Sequence, residues 1–108
     1  MSAIQMNSQQ FENQVLNGNE PVLVEFWAPW CVYCRRIAPA LDKVAQQYAG
    51  KVMVAQINID DEPILAAKEQ IEVIPTLILY QNGEALGSIV APESKARIDE
   101  FILENLGE

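Results

Sequence analysis

The chain has 108 residues, half of them apolar, with 15 acidic against 7 basic side chains, two cysteines and no histidine. That length reads as one domain over residues 1–108, able to remove roughly two-thirds of its chain surface from water without staples. A net charge of −8 argues against a binder of nucleic acid, which needs a positive surface to release counterions. The missing histidines exclude Cys/His and Ser/His nucleophile pairs and a Cys2His2 zinc site, and two cysteines close no tetrahedral metal site within one chain.

Acidity is concentrated in the second half: residues 1–50 hold four acids and three bases, residues 51–108 eleven and four. The cysteine region is therefore close to neutral, with Arg35, Arg36 and Lys43 clustered there. No lysine or arginine precedes Arg35 and no apolar run exceeds four residues, so neither a signal peptide nor a membrane span is expected. Two cysteines also frame no disulfide-rich secreted scaffold, which makes a reducing cytoplasm the expected location.

Asn7 followed by Gln10 has capping-box spacing, and Phe11, Val15 and Leu16 recur on one helical face until Asn17-Gly18, which predicts a helix over 8–16. Pro21 then opens Val22 to Trp27, a nearly continuous apolar run expected of a strand covered on both faces. After Pro29, Ile37, Leu41, Val44 and Tyr48 follow helical spacing to Gly50, so a second helix begins near Cys31. Pro39 falls inside it, where a missing N–H and a ring clash predict a kink.

Lys51 to Ile59 reads as a second buried strand, and Pro63 opens a short helix through Gln70. Pro75 introduces a strand over Thr76–Tyr80, Asn82-Gly83 forms a hairpin turn because both positions tolerate positive φ, and Glu84 to Val90 returns. Ile98, Phe101, Ile102 and Leu106 mark a C-terminal amphipathic helix capped by Ser94 or started near Pro92. Strands alternating with helices favour a parallel sheet with the hairpin as an antiparallel edge, in a three-layer α/β/α domain.

Trp30-Cys31-Val32-Tyr33-Cys34 places two thiols at i and i+3 where a strand hands over to a helix, so the sulfurs can face one another. At a helix N-terminus, unpaired N–H groups and the macrodipole stabilise the Cys31 anion by ~0.3 to 2 kcal/mol. A free thiol with pKa about 8.5 is only about 3% thiolate at pH 7, whereas one lowered to about 7 is half ionised. Cys34, a turn deeper, gains less. Cys31 is then the attacking thiolate and Cys34 the resolving thiol of a mixed disulfide. The competing reading is a pair of ordinary core cysteines.

Beyond the cysteines, Val24-Glu25-Phe26-Trp27-Ala28-Pro29 before the pair, Ile37-Ala38-Pro39 after it, Asn58-Ile59-Asp60, Val73-Ile74-Pro75-Thr76 and Asn82-Gly83 together resemble the thioredoxin family in order and spacing, from Phe11 to Leu106. The resemblance implies the thioredoxin fold, a central mixed sheet of four to five strands with four helices. It implies dithiol-disulfide exchange through Cys31 and Cys34. Pro75 matches the family's cis-proline facing the redox pair, although from spacing alone it is a strand-opening proline. Ile74 matches the residue whose backbone pairs with an extended substrate, Trp30 the exposed indole beside the nucleophile, and Trp27 the one packed beneath the site, which core packing alone would also explain. Glu25 stands where the family usually has a buried aspartate that takes the proton of the resolving thiol. Burial would raise its pKa toward the range useful for proton transfer, unless the longer side chain reaches solvent at the strand end.

Several positions depart from the pattern. Val32 and Tyr33 replace glycine and proline between the cysteines, which implies an altered reduction potential and client contact surface. Tyr33 is similar to the corresponding residue of glutaredoxin, and Arg35-Arg36 could attract a carboxylate of glutathione or simply line a solvated helix face. Gln56 replaces a lysine that commonly pairs with the buried carboxylate, so nothing obvious stabilises ionised Glu25. Ala91, before Pro92, replaces a glycine next to bound substrate, where a methyl group narrows backbone approach. Together these residues predict a monomeric protein-disulfide reductase whose partners are disulfide-containing client proteins and an NADPH- or ferredoxin-dependent thioredoxin reductase. No nucleic acid, membrane, metal or bound cofactor is expected beyond the redox-active Cys31–Cys34 pair, since no Gly-rich phosphate loop is present. The alternatives are a glutaredoxin-like or oxidase/isomerase-type exchanger and a scaffold that binds partners without redox chemistry.

Overall fold

The computed structural model describes residues 2–106. Strands β1 (Ile4–Gln5), β2 (Val22–Trp27), β3 (Met53–Asn58), β4 (Thr76–Gln81) and β5 (Glu84–Val90) form one sheet in the order β1-β3-β2-β4-β5. The helices are α1 (Ser8–Phe11), continued by a π-helical turn (Glu12–Leu16), α2 (Val32–Gln47), α3 (Pro63–Lys68) and α4 (Lys95–Leu106). β2 lies at the centre because its first five residues are all buried, and only a strand with neighbours on both edges and helices on both faces can bury such a run.

Side chains alternate across β2, and the two faces build two cores. Leu23 packs with Leu77 and Leu79 of β4 under Ile37, Leu41 and Val44 of α2 and Ile98, Phe101 and Ile102 of α4. Val22, Val24 and Phe26 face the other way, against Phe11, Val15 and Leu65. Burying each of these aliphatic or aromatic side chains contributes ~1.5–3 kcal/mol, so the three-layer arrangement is secured from both sides of one strand. By the same alternation Glu25 shares the α2 face with Leu23.

The mixed α/β architecture expected of the sequence is present, with differences that have physical causes. The capping box forms, with Gln10 N–H donating to Asn7 Oδ1 and Asn7 N–H to Gln10 Oε1, both at 2.8 Å. The helix it starts widens to a π turn that ends with Asn17 N–H on the Glu12 carbonyl, and Leu16, expected on the buried face, is exposed. β1, which begins the chain, was not anticipated. The antiparallel part of the sheet is also more than an edge: β4 pairs antiparallel with β2 itself, Glu25 opposite Leu77, while β3 pairs parallel on the other side. A 3.6-residue or two-residue period says which face of an element is buried but not which strand is its neighbour.

α3 stops at Lys68, short of the expected Gln70, because Gln70 itself takes a left-handed φ of 60°. Ile71 N–H then bonds to the Ala66 carbonyl and Gln70 N–H to that of Ala67, a Schellman closure made without glycine. α2 likewise ends at Gln47, before Gly50, and runs as one helix through Pro39, with Ile37 and Leu41 on either side of the proline held in the same core. The hairpin turns on Asn82 (φ 55°) and Gly83 (φ 78°), and Ser94 caps α4 by accepting from Arg97 N–H at 3.1 Å.

Candidate active site

The end of β2 and the start of α2 position the cysteines. Ala28 is fully buried, its carbonyl accepts the Cys31 N–H at 3.1 Å, and Cys31 takes extended backbone angles as the N-cap of α2. Its Sγ accepts the Cys34 N–H at 3.1 Å, the bond a serine or aspartate oxygen makes at an ordinary helix start. Cys31 and Cys34 are joined as a disulfide with Cα atoms 5.2 Å apart, and they are 7% and 3% exposed. When the pair is reduced, a thiolate at Cys31 is the form that an N–H donor and the positive end of a helix favour, and Cys34, inside the first turn, has no such cap.

The rim of the pair is apolar on one side and bonded down on the other. Trp30 and Val32 are 62% and 61% exposed, and the Trp30 indole N–H donates to the Asp60 carboxylate at 3.0 Å. Tyr33 is half-buried: its hydroxyl donates to the Pro92 carbonyl at 2.9 Å and its ring lies 5.9 Å from the Arg36 guanidinium. Arg35 donates to the Pro29 carbonyl at 2.8 Å. Both arginines, weighed as a site for a glutathione carboxylate or as a solvated helix face, are thus engaged locally. Trp27, Tyr33, Ile59 and Ile74 pack around Ala28, Cys31 and Cys34, and the Trp27 indole N–H is buried without a partner among the described residues.

The Ile74–Pro75 bond is cis, and the Pro75 carbonyl accepts the Ala91 N–H at 2.9 Å. Ala91 sits at φ 45°, in the left-handed region that favours glycine, so the departure from glycine noted in the sequence falls where a methyl group is least at ease. Tyr33 and Ile74 pack against the cysteines, and the Ala91–Pro75 and Tyr33–Pro92 hydrogen bonds join Pro75 and Ala91 to them in one wall. Pro39, part of the motif that follows the pair, is exposed on α2 and takes no part in that wall.

Glu25 is fully buried, which removes the reading in which it reaches solvent at a strand end. Burial pushes its carboxyl up to about 7, Gln56 pulls it down by donating to Oε1 at 2.7 Å, and the Asp42 carboxylate pushes it up. The expectation that nothing holds an ionised Glu25 is corrected: Gln56, opposite it in the parallel register of β3, does so with a neutral amide. The second oxygen, Oε2, is buried with no hydrogen-bond partner among the described residues. A carboxyl near neutral pKa with a free lone pair, on the face that carries the cysteine helix, can take up and return a proton at physiological pH.

Four residues of the site were not anticipated from the sequence as such. Asp60 belongs to the Asn58-Ile59-Asp60 motif but was not tied to Trp30. Pro92 was noted only beside Ala91. Asp42 and Gln5, which acts through Gln56, carry no local signal, since Asp42 acts on Glu25 from another element and Gln5 bonds to Gln56 51 residues away in the chain.

The sequence model described as Thioredoxin matches residues 2–104. Among known proteins the chain is similar to a thioredoxin of Buchnera aphidicola, 42% identical over 103 residues that make up 95% of each chain. It is similar to Thioredoxin 1 of Nostoc sp., 38% identical over 105 residues, 97% of this chain and 98% of that one. A chloroplastic M-type thioredoxin of Pisum sativum is 41% identical over 97 residues, 90% of this chain and 56% of its own length.

Proposed function

Because this chain belongs to the thioredoxin family and is a thiol-disulfide oxidoreductase that reduces protein disulfides, we propose that Cys31 is its nucleophile, Cys34 its resolving thiol and Glu25 the proton acceptor for Cys34. The observation that supports this order is the Cys34 N–H on Cys31 Sγ. The Cys31 thiolate attacks one sulfur of the client disulfide, forming a mixed disulfide and expelling a client thiolate. Glu25 takes the Cys34 proton, the Cys34 thiolate attacks Cys31 Sγ, and the second client sulfur leaves as a thiolate. The client gains two electrons, the enzyme forms the Cys31–Cys34 disulfide, and the proton on Glu25 passes to a departing client thiolate.

Trp30, Val32 and the wall formed by Tyr33, Ile74, Pro75 and Ala91 are the surface against which an extended client segment lies. Trp27 supports the pair from beneath. The pair itself carries the electrons, with no resident cofactor or metal, and returns to the dithiol by exchange with an NADPH- or ferredoxin-dependent thioredoxin reductase. The monomer acts in the cytoplasm, and it works without nucleic acid or membrane. Among the described residues no helix is long and apolar enough to cross a bilayer. A glutathione-linked role has less support, since Arg35 and Arg36 are turned to Pro29 and Tyr33.

Disulfide-reduction assays test the assignment. Cys31→Ser should abolish turnover, falling by on the order of 10³-fold or more, while Cys34→Ser should accumulate mixed disulfides on Cys31. Equal alkylation rates for the two reduced thiols at neutral pH would overturn the assigned roles.

A further inference from the structure

Three side chains on adjacent strands form a polar file from the sheet edge to the interior. Gln5 on β1 lies opposite Gln56 on β3, which lies opposite Glu25 on β2. Gln5 Nε2 donates to Gln56 Oε1 at 2.6 Å, and Gln56 Nε2 donates to Glu25 Oε1 at 2.7 Å. The first member is exposed, the last is completely buried, and every bond in the file points the same way.

A carboxamide has one accepting and one donating end, so fixing one end fixes the other. While Gln5 occupies the Gln56 oxygen, the Gln56 amino group faces Glu25 and supplies a donor, the partner that a carboxylate needs and that a protonated acid can use less well. Were Gln56 to turn over, its oxygen would face Glu25 and accept from the protonated acid. The residue before β1 acts on the same carboxyl by a second route: Ala3 N–H donates to Asp42 Oδ1 at 3.2 Å, and Asp42 is the charged group of α2 that acts on Glu25. On the remaining side Glu25 is paired with the uncharged Leu77 of β4, and α2, which carries Asp42, also carries Cys34.

We propose that Gln5 is a positioning residue of the redox site: by donating to Gln56 it holds that amide with its amino group on Glu25 and keeps the buried carboxylate supplied with a donor. The inference rests on the reading of Glu25 as the proton acceptor only for its role in turnover. The geometry of the file stands without it. Gln5 touches neither client nor sulfur, and it acts through Gln56 alone.

The test is the titration of Glu25 in the reduced full chain, followed by carboxyl-carbon NMR, in Gln5→Met, Gln5→Lys and each of these combined with Gln56→Met. Gln5→Met keeps the length and removes the donor, so Gln56 can turn and the midpoint should rise by about half to one pH unit, the range set by one neutral hydrogen bond. Gln5→Lys keeps a donor and should hold the midpoint at or below that of the parent. In the Gln56→Met background the Gln5→Met effect should vanish, which separates the file from any loosening of β1 and from the charge of lysine. A midpoint unmoved or lowered in Gln5→Met, or raised equally with Gln56 absent, overturns the proposal. Failure of the proton-acceptor reading shows elsewhere, in unchanged turnover on removing the Glu25 carboxyl, so the two are told apart.

Discussion

Glu25 of β2 and Tyr80 of β4 are both polar, both buried, and set on opposite faces of the same sheet. Tyr80 lies edge-on to Phe11, ring centroids 5.3 Å apart, and its hydroxyl donates to Glu69, so its single proton is committed. Glu25 has one oxygen held by Gln56 and the other without a partner among the described residues. Burial raises the pKa of both groups, first among the causes in each case. For the phenol that moves titration further above the physiological range, aided by the Glu69 carboxylate, while for the carboxyl it moves titration into that range, to about 7. The same physical cause makes one group inert and the other an acid/base, and the difference is where each began.

The sharpest way to break this contrast is Glu25→Gln, which keeps shape and polarity and removes the exchangeable proton. Release of the client from the mixed disulfide should slow by on the order of 10²-fold at pH 7, the lower range for a lost general acid/base, whereas loss of the Tyr80 hydroxyl should leave it unchanged. Single-turnover quenching of the Cys31 mixed disulfide measures the step. An unchanged rate in Glu25→Gln would mean that its burial is structural in the same sense as that of Tyr80.

The same substitution has an equilibrium signature. A carboxyl whose pKa is higher in the folded chain than in the unfolded one stabilises the fold below its unfolded value, and that contribution is lost as pH rises through about 7. Glu25→Gln should therefore gain ~3 kcal/mol over the parent at about pH 9 and little at about pH 4, read from urea unfolding across pH. A gain that does not depend on pH would separate the effect from ionisation.

How much of this contrast is legible in the sequence depends on the distance over which each feature is encoded. The Cys31–Cys34 pair, Glu25 inside an apolar run, Pro75 ahead of a strand and Asn82-Gly83 are local, and each was readable as chemistry or turn geometry. β1 was not, because two exposed residues carry no period. The insertion of β4 beside β2 was not, because strand adjacency belongs to the packed sheet. Gln56 was noted for the cation it lacks, but its bond to Glu25 requires the parallel register of β2 and β3, and Tyr33 finds Pro92 only once α4 has brought its N-terminal loop round to α2. Gln70 ends α3 in a conformation that glycine usually signals, so that boundary was missed as well.

Tyr80→Phe is the smallest perturbation and the control that gives the larger ones their meaning. It removes one hydroxyl and retains the edge contact with Phe11. Glu69, the acceptor, is only partly buried and can turn to water, so the loss should be ~1 kcal/mol rather than the larger cost of stranding a buried charge. Because the phenol stays protonated well beyond neutrality, that loss should be flat from about pH 6 to about pH 9, in the range where Glu25→Gln changes most. A pH-dependent loss in Tyr80→Phe would instead make the Tyr80–Glu69 pair a second proton-exchanging unit on the face away from the cysteines, and the line drawn between the two polar groups would have to move.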